Sequence, residues 1–207
     1  MFTNPTMHFA FITLLSFLKI SGGVFVAGFI LHHLSAWLRR SMADGMGLQA
    51  FNLFFAPGIM IHEISHALAA FIFLHEIVEV KLFDWKAKDG SHGHVISRPR
   101  SLPVIFKIWI KMGELFIGIA PLVVGPAICL ALFYFLVPGG KSFAQQPRLA
   151  NFPSLSWPAA LWFYFTVAVL SQMELSDADL KGAWKGFLWI AFCTLTGSLI
   201  YFKIRHA

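Results

Sequence analysis

Residues 56–73, APGIMIHEISHALAAFIF, decide how this chain must fold. The segment is long enough for about five helical turns and is almost wholly apolar, yet three ionisable side chains lie at its centre. Its opening Ala56-Pro57-Gly58 favours a kink or a new helix start, because proline fits the first helical turn and disrupts the interior. We therefore predict a helix over about residues 57–75 that presents the three ionisable groups within an apolar setting.

The composition of the chain indicates that this apolar setting is lipid. Of the 207 residues, 57% are hydrophobic and 13% are charged, and a soluble domain usually carries about twice that charged fraction. The apolar residues also form blocks, as they do in helices that face lipid. We predict an all-α polytopic membrane bundle of about five transmembrane helices, built as a single domain of residues 1–207.

Five apolar blocks underlie this count. The first is divided at Ser21-Gly22-Gly23, so either residues 24–38 span alone, with 7–20 at the interface, or one long tilted helix does both. The helix over 57–75 belongs to the second block. The remaining blocks cover about residues 113–137, 157–175 and 182–202, and Pro121 and Pro126 predict a kinked or irregular helix in the first of these three.

A different pattern follows the second block. Residues 77–97 are rich in β-branched side chains, with turn residues at 86–90, and predict a small β-hairpin beside the membrane after the helix over 57–75. The net charge of +6 comes from basic residues in such short connections, where they contact anionic headgroups, so we expect no nucleic-acid partner. The bias of positive charge predicts that residues 80–111 are cytoplasmic, on the same side as Lys181 and Lys185 and opposite to Arg39 and Arg40.

The motif His62-Glu63-Ile64-Ser65-His66 predicts a metal site. A spacing of four residues places His62 and His66 on one helical face, where they can bind one ion. Glu63 lies near the same face and can take the proton of a water whose pKa zinc lowers to roughly 7. Polar helix packing is the alternative, but ionisable groups at membrane depth mark functional sites by default. We predict Zn²⁺ at His62 and His66, with Glu63 as general base.

The third ligand must come from another segment, because a zinc hydrolase uses three protein ligands and one open position. The polar run Ser176-Asp177-Ala178-Asp179, within about residues 174–182, interrupts the apolar pattern before the last block. Ser176 or Asp177 would cap the following helix. The candidates, in order of preference, are Asp179, Asp177 and Glu174, followed by Glu114.

The other histidines receive no ligand role. His32-His33 suits polar packing, His75-Glu76 lacks a second histidine four residues after the first, and His92 and His94 belong to the exposed hairpin.

With these motifs in place, the sequence resembles the site-2 protease class of intramembrane metalloproteases, particularly its small, minimal prokaryotic branch. The resemblance rests on four stretches: residues 62–66, the hairpin at 80–95, Gly118-Ile119-Ala120-Pro121-Leu122, and residues 176–182. Larger members carry a Leu-Asp-Gly motif at the third ligand, where this chain has Asp179-Leu180-Lys181-Gly182.

The resemblance implies a zinc site of two histidines and one aspartate, Asp179, in the bilayer toward the cytoplasmic side of a prokaryotic inner membrane. It implies cleavage of the transmembrane helices of other membrane proteins. The hairpin edge at about residues 81–95 would hold the substrate in extended form, since a helical substrate shields its carbonyls and must unwind.

Three functions are compatible with these features. The first is an intramembrane zinc endopeptidase. The second is a membrane zinc peptidase that trims processed or lipidated termini, as prenyl-protein peptidases do, with a glutamate such as Glu174 as third ligand. The third is an inactive relative that binds membrane proteins, although intact His62, Glu63 and His66 argue against it.

Overall fold

The structure is a computed structural model that describes residues 5–85, 93–148 and 153–205. These ranges form seven helices and two strands. In chain order the elements are α1 (Pro5–Met46), α2 (Leu48–Phe54), α3 (Ala56–Ile72), β1 (His75–Lys81), β2 (His94–Pro99), α4 (Val104–Leu136), α5 (Gly140–Gln145), α6 (Trp157–Ser171) and α7 (Asp177–Arg205).

The first apolar block folds as one continuous helix. The 42 residues of α1 run through the Ser21-Gly22-Gly23 step without a break, and at 1.5 Å per residue they extend over about 63 Å. Of the two predicted arrangements, the single long helix is therefore the one that the chain adopts.

The second block is bent where its proline predicts. Helices α2 and α3 meet at Phe55 at an angle of 69°, and Pro57 lies in the first turn of α3. Proline is well placed there because the first turn has no intrahelical acceptor for its missing N–H. The prediction of a new helix start at Pro57 is confirmed.

The number of candidate membrane spans is smaller than predicted. Among the described residues, α4 and α7 are long and apolar enough to cross a membrane, and the bent α2–α3 pair would add a third span. The predicted number of about five is therefore too high. Part of the difference is that the block at 157–175 yields only the 15 residues of α6, about 22 Å against a hydrocarbon core of about 30 Å. Its last residues form a non-helical connection to α7.

Helix α4 is the centre of the bundle, in contact with α3, α6 and α7. It is one continuous helix that contains Pro121 and Pro126 and begins nine residues before the predicted block. Glycines allow its close packing against α7: a Cβ added at Gly186 would lie only 2.2 Å from the Leu115 amide nitrogen. The connection between α4 and α6 includes the short helix α5.

The predicted hairpin is present and somewhat longer than expected. Strands β1 and β2 pair antiparallel from His75 opposite Pro99 to Lys81 opposite His94, with an irregularity between Ile77 and Glu79. The turn predicted at 86–90 lies outside the described residues.

One part of the predicted orientation is wrong. The charge pattern placed Arg39 on the side opposite Lys181, but the Arg39 guanidinium pairs with the carboxylate of Glu174, seven residues before Lys181. The basic end of α1 and the N-terminus of α7 therefore lie together.

Candidate metal site

Three of the predicted ligands meet between α3 and α7. His62 and His66 from α3 and Asp179 from α7 each offer one ligand atom, and these atoms lie within 4.8 Å of one another. The two Nε2 atoms are 3.1 Å apart, and His66 Nε2 is 3.5 Å from Asp179 Oδ1. Ligands about 2.0–2.1 Å from a tetrahedral zinc ion are about 3.3 Å from each other. Two of the three separations are therefore close to this spacing, and the three residues form a possible metal-binding group.

A backbone carbonyl fixes the orientation of His66. Its Nδ1 lies 2.7 Å from the Ile117 carbonyl oxygen, so Nδ1 carries the proton and donates it. The Nε2 lone pair is then free to bind a metal. In known metal sites, a hydrogen bond from the other ring nitrogen fixes the ligating histidine in the same way.

The sequence of α4 explains why this carbonyl is available. In a helix, the Ile117 oxygen would accept a hydrogen bond from the amide of residue 121, but residue 121 is proline and has no N–H. Pro121 thus leaves the acceptor that orients His66. The sequence pattern predicted only a kink there, although a proline four residues after Ile117 was the available signal.

A capping box fixes the orientation of Asp179. The amide and the hydroxyl of Ser176 donate to Asp179 Oδ2 at 3.0 and 2.6 Å, and the Asp179 amide donates to Ser176 Oγ at 3.1 Å. This reciprocal arrangement is a known helix start, and the predicted capping role of Ser176 is confirmed. Because Oδ2 is occupied by the cap, Oδ1 is the oxygen that faces His66.

Gly118 brings α7 close enough for Asp179 to reach α3. A Cβ at this position would lie 2.4 Å from the Asp179 carbonyl oxygen, so only glycine allows the observed approach of the two backbones. Two consecutive residues of α4 therefore position the ligands of both neighbouring helices. Ile117 orients His66 of α3, and Gly118 allows the close approach of Asp179 of α7.

His62 lies in a polar pocket beside Gln172. Its Nδ1 is buried, and its ring contacts the backbone of Gln172, whose side-chain Nε2 is buried without a hydrogen-bond partner among the described residues. Buried polar atoms without partners are rare in native proteins and are found at functional sites.

Glu63 is buried at the junction of α3 and the hairpin, with 8% of its surface exposed. A Cβ added at Gly93 would lie 2.8 Å from Glu63 Cγ and 3.0 Å from the Leu82 carbonyl oxygen. The end of the hairpin at Leu82 and Gly93 therefore packs against the side chain that the sequence predicts as general base.

The other predicted candidates lie elsewhere. Asp177 is the exposed first residue of α7, where it complements the helix dipole. Glu174 pairs with Arg39. Glu114 lies near His75 and is outside the ligand group.

The histidines that received no role are accounted for by other contacts. His94 Nε2 lies 3.1 Å from Glu79 Oε1 on the hairpin, while His92 is outside the described residues. His75 is buried, and burial lowers the pKa of its imidazole below the ordinary 6.5.

Comparison of the chain with protein-family models, with curated proteins and with solved structures gives no significant match. The case for a metal site therefore rests on the convergence of His62, His66 and Asp179.

Proposed function

We propose that this chain is an intramembrane zinc endopeptidase that hydrolyses peptide bonds in or near the transmembrane segments of other membrane proteins. The observation that carries the proposal is the meeting of two imidazole nitrogens and one carboxylate oxygen within 4.8 Å of one another, with a buried carboxylate one residue from the first ligand. Zinc proteases use two histidines and a further residue, often acidic, as ligands, with a separate glutamate as general base.

The roles of the residues follow from their positions. His62, His66 and Asp179 would hold Zn²⁺, which when bound lowers the pKa of water and polarises a carbonyl group. Glu63 is the general base: it accepts the proton of the attacking water and delivers it to the leaving amine. Burial of Glu63 between α3 and the hairpin keeps bulk water away from this proton transfer.

The hairpin suits a substrate that has unwound. Cleavage requires an accessible carbonyl, and a substrate helix must expose its backbone before it can react. A segment added as a strand to an edge of the sheet formed by β1 and β2 would regain its backbone hydrogen bonds. Since Gly93 lies beside both Glu63 and Leu82, such a strand would lead toward the general base.

The candidate spans support a membrane location for this activity. The proposal includes a multi-pass protein in a prokaryotic inner membrane, with the site toward the cytoplasm and another membrane protein as substrate. The alternative peptidase for processed or lipidated termini would need a glutamate ligand. Glu174, its candidate, is paired with Arg39, which favours the endopeptidase with Asp179.

Zinc quantification in the detergent-purified chain tests the metal site. The wild type should hold about one equivalent, as should Asp177→Ala, whereas His66→Ala and Asp179→Ala should lose it. Glu174→Ala should still bind zinc, though more weakly, because it loses only the ion pair with Arg39. A wild type with less than about one tenth of an equivalent would refute the proposal.

Activity tests the mechanism separately. With single-span peptides in detergent as substrates, Glu63→Gln should keep full zinc occupancy and lose at least about 100-fold in cleavage rate, because only the proton carrier is changed. Cleavage by Glu63→Gln at the wild-type rate contradicts the assigned role.

A further inference from the structure

One polar face of α1 contacts the segment that carries the third ligand. His32, Ser35 and Arg39 are spaced by three and four residues, so they project from the same side of the helix. All three contact residues 170–175, at the end of α6 and in the connection to α7. None of them belongs to the ligand group at the candidate metal site.

Each of the three contacts is polar and of a different kind. The Leu175 amide donates to His32 Nδ1 at 3.3 Å. The Ser35 hydroxyl, on a residue only 1% exposed, donates to the Leu170 carbonyl oxygen at 2.8 Å. The Arg39 guanidinium forms an ion pair with Glu174. These contacts therefore hold the end of α6, the middle of the connection and the residue before the cap of α7.

These contacts are linked to the metal site through one short stretch of backbone. Leu175 precedes Ser176, and the Ser176 amide and hydroxyl hold Asp179 Oδ2. The position of Ser176 therefore decides where the Asp179 carboxylate points. A shift of the connection would move Oδ1 relative to His66 Nε2, which now lies 3.5 Å away.

We propose that His32, Ser35 and Arg39 form a positioning face on α1 that places the Asp179 carboxylate and so sets the metal affinity of the site. This inference rests on the metal site of the proposed function. It assigns to α1 a role in the site although α1 supplies no ligand. The face acts on the metal through Asp179, and changes in residues that orient a ligand cost about 10–100-fold in metal affinity.

A spectroscopic experiment separates positioning from ordinary packing. The full chain in detergent is titrated with Co²⁺, whose visible d–d absorption reports the number and geometry of the ligands, and zinc affinity is measured by competition. Arg39→Gln and Ser35→Ala should each weaken Co²⁺ and Zn²⁺ binding by about 10–100-fold and change the Co²⁺ spectrum toward that of Asp179→Ala.

Matched controls are available on the same chain. Arg40→Gln removes an exposed neighbouring charge, and Ser198→Ala removes a hydroxyl that bonds only to the local Leu195 carbonyl among the described residues. Both should keep wild-type affinity and spectrum. Arg39→Lys, and the double exchange Arg39→Glu with Glu174→Arg, should recover most of the affinity that Arg39→Gln loses, because each restores an ion pair.

The outcomes distinguish this inference from the proposed function. If Arg39→Gln and Ser35→Ala lower the melting temperature but keep wild-type metal affinity and spectrum, the positioning face is refuted and the metal site stands. If Arg39→Gln does not fold in detergent, Ser35→Ala, which removes one oxygen atom, decides the question alone. A wild type that binds no Co²⁺ overturns the inference and the proposed function together.

Discussion

Substitution of Gly118 by alanine should remove the metal site while leaving the bundle folded. The added Cβ would lie 2.4 Å from the Asp179 carbonyl oxygen and 3.0 Å from both the amide nitrogen and the Cβ of Ala183. Ordinary van der Waals contact begins at 3.4 Å, so α7 must retreat by 3.4 − 2.4 = 1.0 Å at this point. The obstructing atoms are mostly backbone, which cannot turn aside as a flexible side chain would.

The size of this retreat determines the expected effect. Zinc sites hold their ligand distances to within about 0.2 Å, so a shift of 1.0 Å takes Asp179 Oδ1 out of bonding range. Misplacement of a reacting group by about 1 Å costs roughly 100-fold in rate. We expect zinc affinity and peptide cleavage to fall by at least about that factor. The overpacking itself should cost about 1–3 kcal/mol of unfolding free energy.

Zinc competition titrations, a cleavage assay and thermal unfolding of the same preparations test this expectation. Gly186→Ala is the matched variant: its Cβ would lie 2.2 Å from the Leu115 amide nitrogen in the same interface, but seven residues, about 10 Å, from Asp179. It should lose comparable stability and retain more zinc affinity. Gly197→Ala, with nothing within 4 Å, should change neither. Wild-type zinc affinity in Gly118→Ala refutes the reasoning.

Three further predictions follow from single contacts. Pro121→Ala introduces an amide that competes with His66 for the Ile117 carbonyl, so zinc affinity should fall about 10-fold or more. Pro126→Ala, five residues further along α4, should leave zinc affinity unchanged, and an equal loss in both variants would contradict the role of Pro121. Gly93→Val pushes on Glu63 Cγ, so the cleavage rate should fall with zinc occupancy unchanged, and loss of zinc instead would argue against it. Burial lowers the pKa of His75, so the folded state favours its neutral form, and this stability is lost as pH falls below about 6.5. The melting temperature of His75→Asn should therefore depend less on pH than that of the wild type between about pH 7.5 and 5.5. Identical pH dependence of the two melting temperatures would exclude the effect.

The features that the sequence predicted well are those set by short stretches of chain. The apolar content and blocks indicated helices in lipid, and α4 and α7 meet the length and hydropathy needed to cross a membrane. Pro57 predicted the helix start after the bend, and the spacing of His62 and His66 placed both rings on one face. The hairpin and the Ser176 cap were also predicted, because turn and capping patterns depend on adjacent residues.

Hydropathy alone could not give the number of spans. An apolar block shows that a segment avoids water, but it does not show where the helix within it ends. Residues 172–175 belong to such a block, yet they leave the helix because their polar groups bond to α1 instead. This exchange of partners over a long sequence separation shortens α6 to 15 residues.

The sequence by itself predicted the residue types of the candidate site: a histidine pair and a glutamate that local spacing puts on one helical turn. Only the tertiary structure decided which carboxylate completes it, because Glu174, Asp177 and Asp179 share one polar stretch and differ in what surrounds them. Arg39 engages the first, solvent surrounds the second, and the capping box turns the third toward His66. Contacts with segments distant in sequence therefore decide which carboxylate faces His66, and local sequence patterns do not reveal such contacts.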